Sequence, residues 1–464
     1  MTGDHGLSTL FALADTEAEP ALRPGFTEQT IALARRSVRR RRVGATLAAV
    51  VAVLLAGIAP ALFATARRGA VPAAPAGRPS LPDHFASYSD VTSTVTRQPA
   101  GRAIVYYEYG GNDFSDGLQP LVVGADRDTY RRVDAVEERK SMGYGFPEVL
   151  LSPDGTQVLV GGTDREATSL TLVNLTTGGR RDLRVDPPLG IQLLAWSPDG
   201  RYVAYGDAPV GSPNDVNKLA TTELVILDLA TGTSTHYPQI QAAPAIRSAS
   251  FAPDSRRLAV QLGAEAWIVT IDGQRERQLT LPAGQELLMR YAWLPGGTLI
   301  ATTAYSYASG VPHPDGGKLV FINADGSDRQ VPAPVSVGGV LGWISSTRLV
   351  TFEADERSVG GSIVETDLGT GERRTLSRFN RAERCAYGLS DCIATDLQLA
   401  TGLLGTLDTR AAGPPDRGPR PIWMWIVVGL IATFVLGGIG AALQLRRWRN
   451  RRREASSDLQ RTAR

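Results

Sequence analysis

The residues able to do chemistry are few and widely spaced. Four histidines (His5, His84, His236, His313) and two cysteines (Cys385, Cys392) are spread over 464 residues. The chain has no H-E-x-x-H pair and no Cys/His cluster at zinc spacing, so no metal centre of a known sequence type is expected. A serine peptidase would need a G-x-S-x-G turn between a strand and a helix, and that pentapeptide does not occur. The acidic stretches "GGNDFSDG" (110–117) and "NADGSD" (323–328) lack the D-x-[DN]-x-[DN]-G order of a calcium loop. The expectation is therefore a binding protein, not an enzyme, with no metal and no cofactor. The residues left to carry binding are acidic and aromatic: Asp207, Asp215, Tyr305, Tyr307, Asp315, Glu353 and Asp355.

What must position these residues is a repeat. In "LLAWSPDGRYVAYGD" (193–207) an apolar run ends at Trp196, the turn Ser197-Pro198-Asp199-Gly200 follows, and a strand pattern begins at Arg201. Ser opens a type I turn, Pro presets φ at its second position and Gly closes it. Related turns start at Gln98, Ser152, Ala252, Leu294 and Ile344, with a degenerate copy at Leu389, spaced by about 40–55 residues. In the five central copies, the residue two before the Pro slot is Leu151, Trp196, Phe251, Trp293 or Trp343.

A second hairpin follows each first one, as in "LTLVNLTTGGRRDLRV" (170–185) and "ELVILDLATGTSTHY" (223–237). Four short strands per period of 40–50 residues describe a propeller blade. "AWSPDGRYVAY" followed by "LVILDLATG" resembles the blade repeat of TolB-like and WD-repeat-like bacterial propellers over about residues 84–410. The resemblance implies an all-β propeller and says little about function. The layout also resembles membrane proteins of actinobacteria, some of which accompany sigma factors.

Six turn pairs and an incomplete last unit predict seven blades, with six as the alternative. In the seven-bladed reading, residues 383–408 supply three strands of the last blade and 84–95 supply its outer strand and the first inner one. Ring closure of this kind removes exposed sheet edges. The connections between the second and third strands of each blade emerge together on one face. They hold ten acidic residues against three basic ones, while arginines such as Arg131, Arg180, Arg181, Arg373 and Arg374 gather near the turns of the other face. Such a two-faced field steers a cationic partner to the loop face. The long loops 206–222 and 306–317 are the expected binding elements, because insertions per repeat map to one face.

Two runs of 24 residues without a charge flank the repeats, 43–66 and 422–445, and each is long enough to span a bilayer as a helix. Six arginines precede the first run within eight residues and six follow the second. Arginine enrichment marks cytoplasmic flanks, so both termini are expected inside the cell and the propeller outside. An export signal cleaved after Ala66 is the alternative for the first run. The 42 residues before that run and its length favour a retained anchor. The expected organisation is a cytoplasmic basic segment (1–42), a membrane helix (43–66), a linker (67–83), a propeller (84–410), a linker (411–421), a membrane helix (422–445) and a basic tail (446–464). The outer compartment is oxidising, so Cys385 and Cys392 are expected to pair, worth about 2–3 kcal/mol in a short loop.

The function expected from the sequence is a non-enzymatic binding or scaffold module of the cell envelope. Its partners would be an envelope protein or glycan on the loop face and the lipid bilayer, with no role for nucleic acid. The alternative is a transmembrane sensor whose 42-residue stub reports to a cytoplasmic regulatory protein such as a sigma factor. A propeller enzyme without a recognisable motif is the remaining possibility.

Overall fold

The computed structural model describes residues 77–462 except 88, 90, 110–118, 140–146, 163–166, 209–221, 243–245, 304–316, 326–327, 330–334, 338, 355–359, 380–393 and 420–421. The first apolar run, 43–66, lies outside the described residues, as do Asp215, Tyr305, Tyr307, Asp315, Asp355 and the two cysteines.

The repeated turns form as their residues dictate. In 152–155 the Gly155 N–H donates to the Ser152 carbonyl at 2.9 Å, and the Ser152 hydroxyl donates to Asp154 Oδ1 at 2.7 Å. That hydroxyl also accepts from the Gln157 N–H at 2.9 Å, locking turn to strand. The copy at 197–200 repeats these bonds with Ser197, Asp199 and Tyr202. Serine and aspartate in the motif are thus turn-forming groups. Gly155 has φ +70°, and a Cβ there would lie 1.9 Å from the Ala103 carbonyl oxygen of the next blade, so both conformation and space demand glycine.

Each turn joins the first two strands of a blade, and six blades form among the described residues. Blade 2 comprises Val149–Leu151, Gln157–Val160, Ala167–Asn174 and the start of Arg180–Trp196. That 17-residue strand runs on to become the first strand of blade 3, followed by Tyr202–Ala208, Thr222–Asp228 and Thr233–Ala242. Blade 4 runs from Ile246 to Leu279, blade 5 from Glu286 to Val337 and blade 6 from Gly339 to Phe379. Blade 1 comprises Ala103–Tyr109, Gln119–Gly124 and Tyr130–Arg132, with Thr395–Leu399 as its innermost strand.

The blade count corrects the expectation of seven in favour of six. The only strand described in 383–408 before Asp408 is Thr395–Leu399, and it does not start a new blade. It pairs antiparallel with Ala103–Tyr109, completing a blade begun almost 300 residues earlier. The N-terminal stretch supplies no inner strand. His84–Phe85 instead adds in parallel to Arg373–Phe379, the outer edge of blade 6. Both ends of the ring are consumed by pairing with existing blades, which covers the edges without a seventh sheet.

The core lies between the blades. One buried cluster joins blades 6, 1 and 2, and others fill the seams from blade 2 round to blade 6. At the 6–1 closure Phe85 stacks on Phe379 with centroids 4.1 Å apart, and Tyr107 meets both rings edge-on.

The Pro-rich segments at the two ends of the propeller are tied down where they are described. Ser80–Pro82 pairs in parallel with Asp408–Arg410, and Arg410 bonds Asp128 and the Ser80 hydroxyl. Farther on, Asp416 receives the buried Arg131 at 3.0 Å.

The helix Ile422–Thr462 belongs from Ile426 onward to a separate unit. Within it Gly429–Asn450 is long and apolar enough to cross a membrane, and large side chains such as Phe434 and Leu430 are exposed. This is the one such helix among the described residues.

Candidate functional site

The turn motif that builds the blades also builds a cavity. Each first strand runs down the channel wall and ends at its turn, so the turns ring one mouth. There all six blades contribute: Pro153, Pro198, Pro253 and Pro295 from the turns of blades 2 to 5, Trp343 from blade 6, and Thr401 with Gly402 after the inner strand of blade 1. Leu151, Trp196, Phe251 and Trp293 complete the wall, enclosing about 250 Å³. Trp196, Phe251, Trp293 and Trp343 are each more than nine-tenths buried, so they form a rigid wall.

Ser250, Arg290, Tyr291, Gln398 and Thr401 also bring polar side chains to the cavity. Two are committed to the frame. Gln398 donates to the Val149 carbonyl at 2.7 Å and accepts from the Leu151 N–H at 3.0 Å, stitching blade 1 to blade 2. The Ser250 hydroxyl donates to the Arg290 carbonyl at 3.0 Å. Arg290 is different. Its Nε is buried without a hydrogen-bond partner, and its Nη1 lies 3.8 Å from Asp396 Oδ1 of blade 1. Both residues hold left-handed backbone, φ +61° for Arg290 and +44° for Asp396, and only one other non-glycine described residue, Ser255, does so. Strain of this kind persists where the surroundings over-determine a position, and it gathers at functional sites.

Around Arg290 the channel collects acids. Glu148, which accepts from the Leu193 N–H, and Asp396 are both open to water in the channel, yet the blades enclose them. That confinement pushes the Glu148 carboxyl up to about 7, against the pull of Arg290, and raises Asp396 for the same reason. Glu108 of blade 1 is buried beside the Tyr106 hydroxyl, which donates to it at 3.1 Å, and burial with Asp396 nearby lifts it to about 8.

Two of the residues expected on the loop face are described, and they do not meet. Asp207 ends the second strand of blade 3 and Glu353 lies on that of blade 6, across the ring. Asp207 is buried and paired with His236. Glu353 is engaged by Arg373, one of the arginines expected to charge the opposite face. Arg131, Arg180 and Arg374 of that set are likewise paired, with Asp416, with Asp134 and Glu138, and with Glu365. Arg181 instead bonds the Leu229 carbonyl, and the other eight acids expected on the loop face lie outside the described residues. The cavity-lining aromatics were visible as repeat markers, and their convergence follows from blade topology. Arg290 carried no sequence signal.

No protein-family model matches the chain, and no curated protein matches it in sequence. Among solved structures it is similar to TolB from Acinetobacter baumannii, at 13% identity over 66% of this chain and 68% of that one, with a TM-score of 0.42. It is also similar to an oligogalacturonate lyase in complex with manganese, at 14% identity over 68% and 89%, TM-score 0.41. Dipeptidyl peptidase 4 from Porphyromonas gingivalis is similar at 12% identity over 62% and 46%, TM-score 0.36. Identities this low speak to fold alone, and the six-bladed architecture stands on the strand pairings described above.

Proposed function

We propose that this chain is a non-enzymatic binding propeller of the cell envelope, held at the membrane by its apolar segments, that takes a segment of an envelope protein or glycan into the channel mouth. One observation carries the reading: all six blades converge on a single aromatic and proline-walled cavity with an under-satisfied arginine. Apolar walls with few convergent polar groups are the usual make-up of a ligand site. Ser250 and Gln398 are spent on the frame, so Arg290 and the unpartnered Nε1–H of Trp293 are left to recognise a ligand acceptor, and no nucleophile–base pair lines the cavity among the described residues. The helix within 422–462 supports a membrane location, and the arginines flanking both apolar runs favour cytoplasmic termini.

The test is in-cell photo-crosslinking from Pro253 and Pro295 in the full chain, followed by mass spectrometry. An envelope protein or glycan captured there, and lost in Arg290→Gln, is the expected result. Capture only from probes in 206–222 and 306–317 would overturn the channel reading and move binding to the loop face.

A further inference from the structure

Outside the channel, three side chains meet on one face of blade 3. Asp207 and Glu223 are register partners on neighbouring strands. His236, on the fourth strand, stands opposite Val225, which shares a face with Glu223 by strand alternation. His236 Nδ1 lies 3.0 Å from Asp207 Oδ2 and 3.8 Å from Glu223 Oε1, and the three potential ligand atoms fall within 4.8 Å of one another.

The arrangement exceeds what a histidine ion pair requires. One carboxylate would satisfy the imidazole, but two face it in a partly desolvated position where like charges repel. The ion pairs described for Asp207 and Glu223 are both with His236. Exposure is graded: the Asp207 side chain is 6% exposed, Glu223 27% and His236 39%. One ligand is thus fixed by burial while the other two leave a way in from solvent.

We propose that Asp207, Glu223 and His236 form a binding site for a divalent transition-metal cation of the Zn²⁺ type. One imidazole nitrogen and two carboxylate oxygens are a donor set such ions accept, and three protein ligands leave a coordination position open. The site sits near the end of Tyr202–Ala208 and the start of Thr222–Asp228, and its ligands come from three strands at spacings no short motif contains. The proposal is independent of the channel reading.

The test uses the full chain in detergent, stripped with chelator and titrated with Zn²⁺ by calorimetry. One saturable equivalent per chain is expected. His236→Ala and Glu223→Gln each weaken binding at least tenfold, while His84→Ala, at an exposed Asp83–His84 pair, leaves it unchanged. Melting curves confirm that each variant folds, and partly exposed Glu223 keeps the test decisive where the histidine variant does not fold. The absence of saturable binding overturns the site, and so does affinity indifferent to Glu223→Gln.

Discussion

Two arginines of this propeller show how a buried charge serves a fold in one place and a site in another. Arg131, 1% exposed, is satisfied throughout. Its Nε donates to the Gln98 carbonyl, Nη1 to the Tyr130 and Asp416 carbonyls, and Nη2 to the Asp416 carboxylate. Arg290, 16% exposed, has an unpartnered Nε, one acid at 3.8 Å and a left-handed backbone. The first clasps the C-terminal segment to blade 1, and the second stands strained at a cavity six blades enclose. A fully paired buried charge is structure, whereas an incompletely paired one in a strained conformation is held ready for something else.

The largest effect should come from breaking the clasp. Arg131→Met removes four charge-assisted bonds, to the Gln98, Tyr130 and Asp416 carbonyls and to the half-exposed Asp416 carboxylate. At about 1.5–3 kcal/mol each, the loss is on the order of 4 kcal/mol or more. Arg290→Met, in the same urea titration, should cost less than about 1 kcal/mol, because its ion pair is long and reaches water. Equal losses at the two positions would erase the distinction drawn here.

Next in size is the pH dependence that the channel acids impose. Glu108 and Glu148 titrate near 4.5 in an unfolded chain but hold their protons to about 8 and about 7 when folded. Between these limits the native state binds more protons than the unfolded state, so stability is greatest below pH 4.5 as far as these groups decide, and falls as pH rises to 8. For buried Glu108 the loss is on the order of 2–4 kcal/mol. Unfolding measured at pH 5, 6.5 and 8 should show this decline, and Glu108→Gln should flatten it. A decline of unchanged steepness in that variant would mean that Glu108 is already ionised in the fold.

Much of the architecture was legible because it is local. Ser197, Pro198, Asp199 and Gly200 bond within their own turn, and the same chemistry recurs at 152–155. Trp196, Trp293 and Trp343 could be aligned for the same reason. The blade count was not legible, since Thr395–Leu399 finds its partner almost 300 residues away and looks like any other strand. The 411–418 segment reads as a linker by its prolines and glycines, but Asp416 and Arg417 bind it to residues 87–132. A left-handed arginine has no sequence signature at all, so this polar group of the cavity had to be found in space. Cys385 and Cys392 remain as the sequence leaves them, outside the described residues.

A smaller contrast separates the blade 1–2 seam from the turn of blade 3 through two copies of one glycine. Gly155 and Gly200 have φ +70° and +75° in equivalent turns, yet a Cβ at Gly200 meets nothing within 4 Å. Gly200→Ala should cost about 1 kcal/mol, the backbone term alone. Gly155→Ala should cost about 1–3 kcal/mol more, since its turn must lift from Ala103. Matching melting temperatures for the two variants would show that the blade 1–2 contact yields freely.

The finest test asks whether Arg290 stores strain. Arg290→Met and Arg290→Gly both remove the guanidinium and its contact with Asp396, so their difference excludes the ion pair. Methionine retains a Cβ at φ +61°, while glycine accepts that angle without penalty. The glycine variant should therefore be the more stable of the two by about 1 kcal/mol, although glycine normally destabilises an ordered segment through its freedom in the unfolded chain. That opposing term makes the sign informative, because only relief of a left-handed side chain reverses it. If methionine proves equal or better, the backbone at 290 is relaxed, and Arg290 differs from Arg131 in its missing partners alone.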